Sequence, residues 1–352
     1  MTETIRLATR GSDLALRQAR EVADALSSRR REVELLEVET RGDQLEDELI
    51  RNLGRIGAFV RSLDETVLEG NADAAVHSMK DMPTEFLDDL VVAGVPERAA
   101  PGDVLVTPDG VSLEQLPEGA TVGTSSLRRK AQLLAARPDL AVEPLRGNVD
   151  TRIRKLLAPT LQEEHQRRLT VEEEGDSEAY DRTAQEWFDD LSEIERQALE
   201  RSVETRYDGI VLAEAGLDRL GLLRDVEYDR LDSTFVAAPG QGALAVTAVD
   251  GELAETIHNV VDHPRSRIEA TVERTILSTL GGGCVAPLGV NAVLQGEFLH
   301  TSVRVLSADG DEEVGGTRDL PVETHPEAAR SFAEDLASEG AAELVDRARE
   351  EA

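Results

Sequence analysis

A cluster of basic residues between positions 124 and 155 stands out in an otherwise strongly acidic chain. The whole sequence has 38 basic and 71 acidic residues and a formal charge of −33. This stretch instead holds eight basic side chains against three acidic ones. The basic ones are Arg128, Arg129, Lys130, Arg137, Arg146, Arg152, Arg154 and Lys155. Because guanidinium groups pair with carboxylates and phosphates through planar hydrogen bonds, the cluster predicts a site for a small polyanion.

The elements around this cluster favour the same interpretation. Strand-like runs at 121–123 and 141–145 each end just before small or polar residues and arginines, which indicates two strands that lead into helix N-termini. Free N–H groups and the helix dipole favour an anion at such a position. Nucleic acid is a poor partner for the chain, because it requires a broad basic face.

Asp81 and Cys284 are the other residues that could do chemistry. Asp81 follows Lys80 at a predicted strand end, where a carboxylate could transfer a proton, stabilise a cation, or form only a surface ion pair or helix cap. Cys284, the only cysteine, follows three glycines that would let another group approach its thiol. It could be a nucleophile, a covalent attachment point or a small buried hydrophobe, and none of the six histidines has a suggestive spacing.

Alternating strand and helix patterns predict two α/β units, with ligands at the carboxyl ends of their strands. Breaker-rich stretches at 96–102 and 237–242 suggest paired crossings between the units and a hinge, although a linear domain order stays open. The predicted strands are 5–9, 33–38, 73–77 and 90–95 for one unit, and 104–106, 121–123, 141–145 and 209–213 for the other. A short apolar run at 243–249 follows the second crossing. Ser12 is expected to cap the first helix.

The C-terminal part predicts a small α+β domain. Its expected elements are a helix over 264–280 capped by Asp262, strands at 288–294, 298–306 and 313–320, and a helix over 327–349. A segment at 158–204 differs in composition, with 15 acidic and five basic residues. We expect a surface insertion there that contains an amphipathic helix.

Composition bounds the cellular setting. A single cysteine excludes an intramolecular disulfide framework, no run of about 18 apolar residues occurs, and the N-terminus lacks the apolar core of a secretory signal. We therefore expect a cytoplasmic protein. Only three of the 38 basic residues are lysine, and this acidic, lysine-poor composition predicts adaptation to high salt, where self-repulsion is screened.

Several long motifs closely resemble the porphobilinogen deaminase (hydroxymethylbilane synthase) family, in order along nearly the whole chain. They are ATRGSDLAL (8–16), TRGD (40–43), AVHSMKDMPTE (75–85), VGTSSLRRKAQL (122–133), LRGNVDTR (145–152), GLDRLGL (216–222), PGQGAL (239–244) and GGGCVAPLG (281–289). The resemblance implies two doubly wound α/β lobes like those of type II periplasmic binding proteins, plus a C-terminal α+β domain with a three-stranded antiparallel sheet. We expect domain 1 at 1–98 and 242–262, domain 2 at 102–238, and domain 3 at 263–352.

The same resemblance implies an enzyme that condenses four porphobilinogen molecules head to tail, releasing ammonia and the linear tetrapyrrole hydroxymethylbilane. A dipyrromethane cofactor would be joined to Cys284 by a thioether, and no metal is expected. Asp81 would help protonate the departing amine and stabilise cationic azafulvene and pyrrole intermediates. Positions that match cofactor-binding ones are Ser78, Lys80, Asp81, Thr124, Ser126, Arg128, Arg129, Arg146 and Cys284. Positions that match substrate-binding ones are Arg10, Ser12, Phe59, Arg152 and Arg219. We expect a monomer with no nucleic-acid or membrane partner.

Two departures from the family pattern are visible. The mobile loop that often reads GGKGLF corresponds here to LGRIGAF at 53–59, with Arg55 as the nearest base and Phe59 matching. The insertion at 158–204 is the other departure. Two rivals stay open at this point: a non-catalytic binding protein with two lobes, and a thiol-dependent transferase without a bound cofactor.

The acidic composition gives a first testable expectation. The melting temperature should rise between low and molar salt, because salt screens repulsion among the surface carboxylates. Thermal unfolding followed by circular dichroism across a salt series measures this directly. An unchanged melting temperature would contradict salt adaptation.

Overall fold

The computed structural model describes residues 3–38, 58–84, 89–174, 180–283 and 286–350. Along the chain the helices and strands are β1 (Glu3–Thr9), α1 (Asp13–Leu26), β2 (Arg31–Glu37), α2 (Ala58–Leu68), β3 (Ala74–Ser78), β4 (Leu90–Gly94), β5 (Asp103–Val106), β6 (Thr121–Gly123), α3 (Leu127–Ala136), β7 (Ala141–Glu143), α4 (Val149–Glu173), α5 (Ala184–Asp190), α6 (Glu193–Leu199), β8 (Gly209–Ala213), α7 (Glu214–Leu220), β9 (Tyr228–Arg230), β10 (Leu244–Val249), α8 (Glu252–Val261), α9 (Pro264–Thr279), β11 (Leu288–Gln295), β12 (Phe298–Leu306), β13 (Glu313–Pro321), α10 (His325–Ser338) and α11 (Ala341–Glu350).

Two five-stranded sheets share one topology. The first has the order β2-β1-β3-β10-β4 and the second β7-β6-β8-β5-β9. In each, three neighbouring strands run parallel, and the fourth position holds an antiparallel strand, β10 or β5, that arrives from a crossing segment. A third sheet, β11-β12-β13, is antiparallel. The predicted fold class of two α/β lobes and a small α+β domain is therefore confirmed.

The two crossing segments lie side by side between the lobes. The Gln241 side chain donates to the carbonyl oxygens of Pro101 (2.5 Å) and Gly102 (3.2 Å). Gly242 has φ +85°, and a Cβ atom there would lie 2.4 Å from the Ala99 carbonyl oxygen, so the close approach requires glycine. Strand β10 follows the second crossing and lies in the first sheet, so the chain returns to the first lobe there. This supports the predicted domain boundaries, which stay a prediction.

Helix α9 joins the C-terminal domain to the crossings through a fully buried carboxylate. Glu273 has no solvent exposure and pairs with Arg98 at 2.7 Å. The same carboxylate accepts from the backbone N–H groups of Gly240 (2.6 Å) and Ala292 (2.9 Å). One side chain thus connects both crossings with the sheet of the third domain.

The structure corrects two local predictions in the C-terminal part. His263, not Asp262, caps α9, because the Asp262 carboxylate instead accepts from the Val95 N–H and from Arg267. The expected helix over 327–349 is two helices, since Gly340 has φ +106° and interrupts it.

The insertion is also built differently from the expectation of one amphipathic helix. It begins as an extension of the 25-residue helix α4, which starts near the basic cluster. Two short helices, α5 and α6, follow and are separated at Leu191 and Ser192, where Ser192 forms a capping box with Glu195. Within the described part of the chain, no helix is both long enough and apolar enough to cross a membrane.

Candidate active site

The first lobe contributes residues that follow β1 and β3. These strands are parallel neighbours, so their carboxyl ends meet at one edge of the sheet. Arg10 follows β1, and the Ser12 hydroxyl accepts from the Ala15 N–H at 3.4 Å, which confirms Ser12 as the cap of α1. Ser78 ends β3, and the short 3-10 turn Met79–Asp81 places Lys80 and an exposed Asp81 directly after it.

The second lobe contributes residues that follow β6 and β7. Thr124 is buried after β6, and its hydroxyl accepts from the Ser126 N–H at 3.2 Å. Ser126 in turn caps α3 by accepting from the Arg129 N–H. Asn148 precedes α4, whose first turns carry Arg152. Both predicted transitions from strand to arginine-bearing helix are therefore present.

A buried ion-pair cluster holds two of the arginines. Arg128 approaches the Asp103 carboxylate at 2.7 Å, and Arg129 approaches it at 2.8 Å. Arg128 also donates to the Val236 carbonyl at 2.8 Å, and Arg129 to the Val211 carbonyl at 3.0 Å. Burial alone would raise the pKa of Asp103, but the two guanidinium groups hold it well below its usual value. Asp103 therefore stays ionised and offsets part of the positive charge.

The cationic groups of the two lobes act on one another across the cleft. Burial lowers the pKa of Lys80, and the charges of Arg129 and Arg128 lower it further while Asp81 opposes them. Burial and the charge of Arg129 lower the pKa of Arg152 to about 10, again against Asp81. Lys80 and Asp81 from the first lobe are thus electrostatically coupled to arginines of the second. Positive charge from both lobes is therefore close together at Lys80, Arg128, Arg129 and Arg152.

Arg146 and Arg219 have different surroundings. Half-buried Arg146 makes no hydrogen bond or ion pair with any other residue that the structure describes. Arg219 on α7 contacts Glu21 of α1 at 3.3 Å and donates to the Gly242 carbonyl at 3.1 Å, so it connects the lobes near a crossing. In the structure, Arg219 thus joins the two lobes. Its role in substrate binding stays a prediction.

Two predicted residues cannot be placed in this geometry. Cys284 lies outside the described residues, as does the loop at 53–57, and for Phe59 only the backbone position at the start of α2 is described. Their predicted roles stay predictions. Helix α9 ends at Thr279 and leads through Leu280 and Gly281 toward Cys284.

Sequence reasoning missed Asp103 and Gln241. The Gln241 amide donates to Asp103 at 2.9 Å and so ties the crossing to the arginine cluster. A signal for Asp103 was present, because an acidic residue directly precedes the fully buried run Val104–Val106. A charge at such a position has to be paired to be stable. Nothing in the local sequence of Gln241 marks its partners, which come from a distant part of the chain.

Comparison with protein families shows to which family the chain belongs. A family model described as porphobilinogen deaminase, dipyromethane cofactor binding domain, matches residues 5–163 and 195–256, and one described as porphobilinogen deaminase, C-terminal domain, matches residues 267–339. The chain belongs to the porphobilinogen deaminase family. The family match skips residues 164–194, which agrees with an insertion at this place.

Individual relatives support the same membership. A probable porphobilinogen deaminase from Halobacterium salinarum is 50% identical over 100% of both chains. One from Methanococcoides burtonii is 38% identical over 97% of this chain and 96% of the relative. Among solved structures, a TRAP periplasmic solute binding protein from Desulfovibrio salexigens covers 99% of this chain and 98% of its own, with 11% identity and a TM-score of 0.34. The evidence for two lobes is the pair of five-stranded sheets in this chain.

The electrostatics of Arg152 lead to a testable expectation about the protein without bound ligand. Because the folded protein holds its pKa at about 10, below the usual value, the charged form is destabilised by folding at neutral pH. Arg152→Gln removes this unfavourable charge together with the hydrogen bond from the Arg152 Nε to the Gly147 carbonyl (2.8 Å). The two effects offset each other, so the melting temperature of the ligand-free protein should stay the same or rise, while the binding of carboxylate-bearing ligands weakens. Differential scanning calorimetry at pH 7 and a turnover assay give the two readouts.

Arg154→Gln is the matched control, since Arg154 lies on the same helix and already pairs with Asp150. It should leave the melting temperature unchanged or slightly lower, because an isolated pair of this kind contributes about 0.3–0.5 kcal/mol. A lower melting temperature for Arg152→Gln than for Arg154→Gln would contradict a repulsive environment at Arg152.

Proposed function

We propose that this protein condenses four porphobilinogen molecules head to tail on a dipyrromethane primer joined by a thioether to Cys284, releasing ammonia and hydroxymethylbilane. The observation that carries the proposal is the coupling of one carboxylate, Asp81, to a set of desolvated cations from both lobes. A cationic cleft suits a substrate with several carboxylates, and an exposed carboxylate among those cations suits a reaction through a cation. Family membership supports the same activity.

The residues of the cleft fit a polycarboxylate primer. Each pyrrole of dipyrromethane carries an acetate and a propionate, so the group brings four carboxylates. The Nε atom of Arg128 is buried without a hydrogen-bond partner among the described residues, and Arg146 likewise has none. Both can donate to a carboxylate. A carboxylate bound beside Lys80 or Arg152 would raise the lowered pKa of that side chain, because an anion favours its charged form.

The primer would supply a nucleophilic pyrrole carbon held at the site for each addition, while the protein supplies charge and orientation. Arg128, Arg129, Arg146 and Lys80 would hold its carboxylates, with Ser78, Thr124 and Ser126 as neutral donors. Arg10, Ser12, Phe59, Arg152 and Arg219 would receive the incoming porphobilinogen. At 4 Å, one such ion pair has about 4 kcal/mol of Coulomb energy at an effective dielectric near 20, before desolvation.

Asp81 would supply the carboxyl group that the chemistry requires. The leaving group is ammonia, so the amine must be protonated as the carbon–nitrogen bond breaks, and positive charge then remains on the pyrrole. The protonated carboxyl group of Asp81 would give its proton to the departing amine, and the carboxylate that this leaves would stabilise the positive charge on the pyrrole. During this step, Lys80 and the arginines of the second lobe would hold the carboxylates of the bound pyrroles.

Three finer statements belong to the same proposal. The protein acts in the cytoplasm, which its single cysteine supports, because a reducing compartment suits a free thiol. It works as a monomer, because both lobes of the cleft come from one chain. It works at high salt, which the charge of −33 and the Halobacterium relative support.

Asp81→Asn should reduce porphobilinogen consumption and ammonia release by at least about 100-fold, because general acid–base groups contribute on the order of 100- to 10,000-fold. The fold should persist, since Asp81 is exposed and lies in a short turn. Ammonia release in molar salt measures the effect. Asp24→Asn, at an exposed carboxylate on α1, is the matched control and should keep wild-type turnover. Near-normal turnover of Asp81→Asn would remove Asp81 from the mechanism.

A further inference from the structure

Arg274 of α9 contacts the turn that carries Asp81, although it lies in a different domain. One terminal nitrogen donates to the carbonyl oxygens of Met79 and Met82, both at 3.2 Å. The other donates to the Pro83 carbonyl. One guanidinium group thus binds three carbonyls that surround Lys80 and Asp81, so it fixes the backbone on both sides of the carboxylate.

The other end of this turn is held by the first lobe. The Met79 N–H donates to the Ala243 carbonyl at 3.0 Å, next to β10. The buried Met79 and Met82 side chains belong to the same apolar cluster as Ala270 of α9. Beside this cluster, an open groove of about 390 Å³ lies between the turn and α9 and is lined by Met79, Thr84 and Arg274 among others. This side of the turn is therefore not covered by apolar packing, and directional hydrogen bonds contribute to its orientation.

Helix α9 is attached to the rest of the protein at two neighbouring residues. Arg274 lies five residues before the end of α9 at Thr279, a distance of about 7.5 Å at 1.5 Å per residue. Glu273, its neighbour in sequence, fixes the same helix to Arg98 and Gly240 at the crossings. The helix is thus attached both to the crossings and to the Asp81 turn, and in the sequence it ends five residues before Cys284.

We propose that Arg274 is a positioning residue that holds the turn carrying Asp81 in the orientation that the reaction needs. The proposal rests on the function proposed above, because Asp81 is a catalytic carboxylate only in that reaction. Arg274 does not touch the reacting atoms. It acts through three carbonyl groups, and its planar fork with several donors suits this better than an ammonium group would.

Arg267 provides a closely matched control on the same helix. Seven residues earlier, it donates to the carbonyls of Val92 and Ala93 on β4, each at 3.1 Å, and pairs with Asp262. It therefore also anchors the third domain to carbonyls of the first lobe, but not at the turn that carries Asp81. A general loss of domain anchoring would affect both positions, whereas a loss of positioning would affect only Arg274.

The test compares Arg274→Lys and Arg267→Lys with the wild type in molar salt. Intact mass first establishes that each carries the same fraction of primer, and circular dichroism and melting temperature establish the fold. We expect Arg274→Lys to lower kcat by at least about tenfold with KM close to wild type, because a misplacement near 1 Å costs on the order of 100-fold. Arg267→Lys should keep kcat near the wild-type value. Arg274→Gln serves as the second variant if the lysine variant does not fold.

Each outcome decides a separate question. Equal reductions of kcat in both variants, or wild-type kcat in Arg274→Lys, would refute the positioning role while the proposed function stands. A higher KM of Arg274→Lys with an unchanged kcat would also refute the positioning role, because it would indicate weakened substrate binding. A wild-type protein that consumes no porphobilinogen would refute the proposed function, and the positioning role with it.

Discussion

The ion pairs between Asp103 and the neighbouring Arg128 and Arg129 are the interaction on which the cleft depends. A site for polycarboxylates has to keep several cations close together before any ligand arrives, and like charges in a desolvated place repel one another. One buried anion offsets part of this repulsion at the base of the cleft, while Lys80 and Arg152 remain electrostatically strained, as their lowered pKa values indicate. Removing one partner of such a buried cluster costs about 3–5 kcal/mol. Stability and anion binding are therefore linked through the same side chains.

This cluster is also where the parts of the protein meet. Asp103 opens the strand that enters the second lobe, and Gln241 connects it to the opposite crossing. Glu273 then connects that crossing to α9, which leads to the cysteine loop. A chain of hydrogen-bonded polar groups thus runs from the arginines of the second lobe to the third domain.

The fold was largely predictable because its signals are local. Apolar strands, cap residues such as Ser12 and Ser126, and glycine-rich or proline-rich crossings each show in a few consecutive residues. The site residues were found through family motifs and through the excess of arginine. The pairing of Arg128 and Arg129 with Asp103 was not predictable, because it joins residues about 25 positions apart through tertiary structure. For the same reason the cap of α9 was assigned to Asp262, whose carboxylate is taken by Val95 and Arg267.

The intact mass of the purified protein, with a peptide map around Cys284, tests most directly whether the cleft is built around a tethered primer. We predict an added mass equal to two porphobilinogen molecules less two molecules of ammonia, located on Cys284. Protein purified without the added group should acquire it on incubation with porphobilinogen. A Cys284 that stays unmodified and alkylatable after that incubation would contradict the tethered primer and leave a cleft that only binds anions.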